Sequence, residues 1–230
     1  MTQAGQRERD AQRAGRELEG APAEEILRWA VQSFGSRLVV ASSMQDAVLV
    51  HLAARVAPGM DVLFLDTGYH FAETIGTRDA VAAAYEVNVI NVLPRQTVAE
   101  QDAEYGAKLH DRNPDLCCAL RKVEPLERAL AGYDAWVTGV RRVDAPTRAD
   151  TPVVGYDTQR DKVKVAPMAT WSDADVDNYI AEHQVLINPL LSMGYPSIGC
   201  APCTRAVAPG EDPRAGRWAG LAKTECGLHQ

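Results

Sequence analysis

The five cysteines of this 230-residue chain are unevenly spread: Cys117 and Cys118 are adjacent, Cys200 and Cys203 form a Cys-x-x-Cys, and Cys226 stands alone near the end. Thiolates are soft ligands for zinc or iron–sulfur clusters, and a Cys-x-x-Cys offers two sulfurs to one site from a single turn. Successive residues of a strand point to opposite faces, so Cys117 and Cys118 can share a site only in a helix or turn, and Pro114 marks a helix start just upstream. An adjacent pair fits tetrahedral zinc poorly. A cluster is therefore the first reading, with zinc as the alternative. Cys226 lies in the polar segment Lys223-Thr224-Glu225-Cys226-Gly227-Leu228-His229. A thiol there packs little and risks oxidation, which points to reactivity; the bland alternative is an inert surface cysteine.

A second constellation concerns anions. Ser42-Ser43-Met44-Gln45-Asp46 reads as a strand-to-helix turn whose hydroxyls and amides can receive a phosphate at a helix N-terminus, unless Ser43 merely caps the helix. No Gly-x-x-x-x-Gly-Lys-Ser/Thr is present, which disfavours a P-loop kinase. Basic residues cluster at Arg121 with Lys122, at Arg141, Arg142 and Arg148, and at Arg214 with Arg217. Guanidinium forks match phosphate and sulfate oxygens, although a single arginine is more often a solvated surface residue.

The elements that must hold these groups alternate. Short apolar runs at 38–41, 62–65, 87–93 and 135–139 read as strands, and 23–34, 46–56, 72–85 and 124–131 as helices, the last starting near Cys118. Residues 163–165 read as an edge strand, and Ser172 as the cap of a helix over 173–183. This pattern predicts an α/β, Rossmann-like parallel sheet with helices on both faces, binding its ligand at the strand carboxyl ends. Residues 1–22 read as a flexible arm, 23–203 as the nucleotide- and cluster-binding domain, and 204–230 as a mobile catalytic tail.

A net charge of -7 argues against nucleic-acid or anionic-membrane partners, which reward a basic surface. No apolar run approaches the roughly 20 residues of a spanning helix, and the polar N-terminus lacks a secretory core, so a cytoplasmic protein is expected. In a reducing cytosol the cysteines bind metal or react rather than form disulfides.

In combination, the two cysteine pairs, Ser197-Ile198-Gly199-Cys200-Ala201-Pro202-Cys203-Thr204, Gly210-Glu211-Asp212-Pro213-Arg214-Ala215-Gly216-Arg217-Trp218, Leu65-Asp66-Thr67-Gly68-Tyr69 and the Cys226 tail strongly resemble the assimilatory adenylyl-sulfate reductases. The resemblance implies an adenine nucleotide alpha-hydrolase-like fold and a [4Fe-4S] cluster on Cys117, Cys118, Cys200 and Cys203. Relatives acting on the 3'-phosphorylated substrate commonly lack those cysteines, so adenylyl sulfate is the expected substrate and its 3'-phosphorylated form the alternative. By the same resemblance Cys226 attacks the sulfate sulfur, AMP leaves, and thioredoxin releases sulfite, in sulfate assimilation and cysteine biosynthesis. Ser42, Ser43, Gln45 and Asp46 match the phosphate loop, and Leu65 and Gly139 match backbone contacts to adenine. Lys122, Arg148, Arg214, Arg217 and His229 match residues that hold the phosphosulfate or close the tail over it. The stretch from Arg141 to Arg148 departs from the family's usual Arg-Arg-Asp-Gln-Ser start. Whether the protein is a homo-oligomer is left open by the sequence.

Overall fold

A computed structural model describes residues 3–228; His229, matched above to the phosphosulfate site, lies outside the described residues. Its helices are α1 Gln3–Glu17, α2 Ala23–Phe34, α3 Val48–Val56, α4 Ala72–Ala84, α5 Val98–Tyr105, α6 Leu109–Arg112, α7 Pro114–Cys118, α8 Glu124–Leu130 and α9 Asp173–His183. The strands are β1 Leu38–Ala41, β2 Met60–Leu65, β3 Val87–Val92, β4 Ala135–Thr138, β5 Val154–Asp157 and β6 Lys162–Val165, in the order β3-β2-β1-β4-β6-β5. All neighbours run parallel except β5, which is antiparallel to β6. The expected parallel α/β sheet is present. The segment read as its edge, however, is an inner strand: residues 163–165 pair with β4 on one side and with β5 on the other. Gly155 and Tyr156 give β5 no continuous apolar run, which hid it from periodicity.

Alternate side chains of the central strands feed two cores. Val40, Val62, Phe64 and Val137 pack with Ile26 and Leu27 of α2 and Leu52 of α3, while Val39, Leu63 and Trp136 pack with Leu126 and Leu130 of α8. Burial on both faces is why these strands read as unbroken apolar runs. From β1 the chain steps outward to β2 and β3, then returns to lay β4 on the opposite side of β1. That reversal opens a crevice at the carboxyl ends of β1 and β4, where sheets of this kind bind ligands.

Residues 1–22, read as a flexible arm, hold α1, whose Ala11 and Ala14 are buried. Arg7 pairs with Asp161 at 2.9 Å and Glu19 with Arg142 at 2.7 Å. The helix docks through small alanines and ion pairs at either end. Its sequence holds no stripe of large apolar residues.

The helical run from α7 to α8 is not uniform. Asn113 caps it by accepting the Leu116 N–H at 3.0 Å, with Pro114 in the first turn. Between the two helices, Ala119–Val123 widens into a π turn. Pro125 has no N–H for the Arg121 carbonyl four residues back, and its ring crowds that carbonyl; the wider turn relieves the conflict. Arg121 and Lys122 both sit on the π turn.

Candidate active site

The turn after β1 is set from both sides. Met44 is fully buried in a left-handed conformation, φ 57°, and its N–H reaches the Ser42 hydroxyl at 3.3 Å. Asn188, also fully buried, donates to the Met44 carbonyl at 3.2 Å, and the Gln45 side-chain carbonyl accepts the Ile198 N–H at 2.9 Å. Gln45 thus ties the turn after β1 to the segment carrying Cys200. Ser43 is exposed, and it is Asp46, not Ser43, that serves the start of α3, accepting the Val48 N–H at 3.1 Å.

Burial pushes the Asp46 carboxyl above its ordinary range, against the Val48 hydrogen bond and the Arg141 charge. A raised folded-state pKa means that ionised Asp46 costs stability in full above that pKa, and the cost shrinks as pH falls below it, to vanish only below the unfolded-state value of 3.8. Asp46→Asn is accordingly expected to raise the thermal midpoint at pH 8, with the gain disappearing near pH 4; thermal melts across that range check it.

Turning to the thiols, all five cysteines are free, and Cys117, Cys118, Cys200 and Cys203 line one enclosed space with Tyr69, His110 and Trp218. The helical conformation needed for the adjacent pair is supplied by α7. Burial, then the neighbouring thiols, push Cys117 up to about 12 and Cys203 up to about 11, and burial raises Cys118 as well. Thiols gathered in this way need a cationic centre before they can ionise together. Among the described residues no three His, Cys, Asp or Glu side chains are grouped to grip a single metal ion.

The turn after β2 joins the two cysteine segments. Thr67 Oγ1 lies 3.3 Å from Cys200 Sγ, the Tyr69 carbonyl accepts the Ala201 N–H at 2.7 Å, and the Thr67 carbonyl accepts Arg121 Nε. Gly68 has φ 73°, and a Cβ there would meet Arg121 Nη2 at 3.0 Å and Val98 Cγ2 at 3.2 Å. Buried Arg121 also donates to Gln101 Oε1 at 3.1 Å and to the Gln96 carbonyl at 3.3 Å. Arg121→Ala strands these acceptors and is expected to lower unfolding stability by about 2–4 kcal/mol, seen as a lower denaturant midpoint.

Above the crevice lies a cavity of about 1030 Å³. Ser42, Ser43, Gln45, Asp46, Leu65, Lys122, Gly139, Arg148, Arg214, Arg217 and Cys226 all line it, together with His70, Arg141 and Leu228. The Leu65 carbonyl is occupied by His70 Nε2 at 2.8 Å. Burial holds the His70 imidazole below its ordinary range, with the Lys122 charge adding to the effect; a carbonyl only accepts, so the neutral ring donates from Nε2.

The cations of this cavity fall into two groups. Arg141 pairs with Asp144 and Asp173 at 2.8 Å each, Arg142 with Glu19, and Arg148 with Glu225 at 2.9 Å. Lys122 and Arg217 have no carboxylate partner among the described residues. Burial alone would lower Lys122, but Cys200, Cys226 and Cys118 together raise it above its ordinary value. Burial lowers Arg217, whose Nε has no hydrogen-bond partner among the described residues. Gly199 makes room for it, since a Cβ there would lie 2.3 Å from Arg217 Nη2. Trp218, 3% exposed, lies under the Arg217 guanidinium at 4.6 Å, and Lys223 of the tail pairs with Asp115 of α7.

Sequence reading gave no site role to His70, Asn188 or the Glu225 contacts, and quoted Trp218 only within a longer motif. Only Trp218 carried a signal, as a large aromatic in a polar segment. Residues 37–206 match the phosphoadenosine phosphosulfate reductase domain. An adenosine 5'-phosphosulfate reductase of Streptomyces coelicolor is 70% identical over 219 residues, spanning 95% of this chain and 93% of that protein. A protein of the same description from Mycolicibacterium smegmatis is 63% identical over 219 residues. Among solved structures, a phosphoadenylyl-sulfate reductase from Candida auris, in complex with phosphate, superposes with a TM-score of 0.72 at 30% identity, spanning 88% of this chain and 97% of that one. Candida glabrata FMN adenylyltransferase shares the fold, with a TM-score of 0.58 at 14% identity over 85% of this chain and 65% of its own. On the domain match and the identity of these relatives, the chain belongs to the phosphoadenosine phosphosulfate and adenosine 5'-phosphosulfate reductase family.

Proposed function

We propose that this protein reduces adenylyl sulfate to sulfite and AMP in assimilatory sulfate reduction, with Cys226 as nucleophile and thioredoxin as reductant. The observation that carries the reading is the meeting of Cys226, Lys122 and Arg217 in one cavity at the strand carboxyl ends. The Cys226 thiolate attacks the sulfate sulfur, the sulfur–oxygen bond to the phosphate breaks, and AMP leaves with that electron pair. An S-sulfonate then sits on Cys226, as S-sulfocysteine. A thioredoxin thiolate attacks Cys226 Sγ and expels sulfite; the second thioredoxin thiol resolves the mixed disulfide and supplies the other reducing electron. Lys122 and Arg217 lower the charge repulsion between a thiolate and a dianionic substrate. The tail must leave the cavity before thioredoxin can reach the sulfonated sulfur, so we read residues 204–230 as mobile during turnover.

Cys117, Cys118, Cys200 and Cys203 fit a [4Fe-4S] cluster: four unpaired thiols face one space, and their ionisation calls for a cationic centre. When bound, that group would offset part of the charge of the four thiolates, and Lys122, held charged by the cysteines around it, would balance the remainder beside the anion site. Among the described residues no helix is long and apolar enough to cross a membrane, and a cytoplasmic setting suits free thiols. The test is direct. Anaerobically purified protein incubated with labelled adenylyl sulfate and no reductant is expected to carry sulfonate on the Cys226 peptide by mass spectrometry, and to release sulfite on addition of thioredoxin. Label on no cysteine, or a higher kcat/KM for the 3'-phosphorylated nucleotide, overturns the assignment.

A further inference from the structure

Arg148 is committed to carboxylates at all three of its guanidinium nitrogens. Its Nε donates to Glu225 Oε1 at 3.0 Å and its Nη2 to Glu225 Oε2 at 2.9 Å, a two-pronged contact, while Nη1 reaches Asp144 Oδ2 at 3.3 Å. The remaining capacity of the carboxylate is filled as well, by Thr147 Oγ1 at 3.3 Å and Arg214 Nη2 at 3.3 Å. Arg214 Nη2 also donates to the Thr224 carbonyl at 2.8 Å. The Arg148 and Glu225 side chains are only 13% and 10% exposed. Although its burial works the other way, the Arg148 contacts hold the Glu225 carboxyl below its ordinary range, which keeps it ionised throughout the neutral region.

Glu225 directly precedes Cys226, and Arg148 closes the short helical turn Pro146–Arg148 that follows β4. A contact between the two therefore sets the nucleophile against the rigid sheet with a single residue of slack. We propose that Arg148 and Glu225 form a clasp that positions Cys226, with Arg148 acting on the tail and not on the substrate anion. The proposal rests on Cys226 being the nucleophile. Lys122 and Arg217, which have no carboxylate partner among the described residues, are left to meet the anion. A substrate oxygen could reach Arg148 only by displacing a carboxylate that is gripped at both oxygens and largely shielded from water.

Electrostatics and tethering make opposite forecasts for the free enzyme. Were Arg148 and Glu225 merely charges near the thiol, Arg148→Met would slow alkylation of Cys226 by withdrawing stabilisation from the thiolate, and Glu225→Gln would hasten it. A clasp makes both changes hasten it, because either one frees the tail. The experiment measures the rate of iodoacetamide labelling of the Cys226 peptide at fixed pH by mass spectrometry, in the cluster-containing wild type, Arg148→Met, Glu225→Gln and the double variant. AMP affinity is measured by calorimetry and sulfite release by steady-state kinetics on the same proteins. Each single change is expected to speed labelling about tenfold, the double no more than either single, with AMP affinity and KM within about twofold and kcat lowered about tenfold. Glu225→Gln alters only the tail, so it remains informative if Arg148→Met misfolds. Labelling rates that are unchanged, or that move in opposite directions, overturn the clasp, as does an Arg148→Met protein with AMP binding weakened more than tenfold. Labelling needs no turnover, so failure of the clasp is separable from failure of the nucleophile assignment, which shows instead as full sulfite release by Cys226→Ser.

Discussion

Cys226→Ser is expected to lower sulfite release from adenylyl sulfate by about 10³-fold or more while leaving AMP affinity within about twofold. The magnitude follows from chemistry: a serine hydroxyl is a poor nucleophile at neutral pH, and no histidine or carboxylate among the described residues makes a hydrogen bond to the Cys226 side chain that could deprotonate a hydroxyl in its place. The retained AMP affinity follows from geometry, because the turn after β1, proposed to meet the phosphate, is fixed by Asn188 and Ile198 and not by the tail. Steady-state kinetics for the first quantity and calorimetry for the second check the prediction. A variant that kept wild-type sulfite release would require another of the cysteines, or no cysteine, to attack.

The next largest loss is expected from Lys122→Met. The substitution keeps much of the side chain's bulk and removes an ammonium that stands within electrostatic reach of Cys226, Cys200 and Cys118 together. Removing a fixed charge aimed at developing negative charge typically costs about 10²–10³ in kcat, and the weakened attraction for the bound anion should also raise KM. Because Lys122 follows Cys118, iron content should be measured on the same preparation. Unchanged iron with kcat/KM down by about two orders of magnitude or more is the expected result; unchanged kinetics would leave Arg217 as the cation that matters. Gly199 provides an independent handle on Arg217, since any side chain there collides with its guanidinium.

Much of the fold was legible because its rules are local. Apolar runs at β1, β2 and β4 declared strands buried on both faces, Ser172 declared the start of α9, and Asn113 with Pro114 declared the start of α7. What escaped was held by features without period. Strand β5 is an edge strand containing glycine, and α1 packs through alanines. The π turn depends on where Pro125 falls relative to a carbonyl in the preceding turn.

The candidate site divides in the same way. The residue types and order along the chain determined which chemistry was available: four pairable thiols, a lone thiol in a polar tail, a hydroxyl-rich turn and several basic clusters. Only the tertiary structure decided which cations are already engaged. Arg141, Arg142 and Arg148 looked equivalent in sequence, but long-range partners at Asp173, Glu19 and Glu225 engage them, while Lys122 and Arg217 have no carboxylate partner among the described residues. A charge reports its availability through what lies within a few ångströms of it. That neighbourhood is assembled from residues far apart in the chain, and one-dimensional spacing does not contain it.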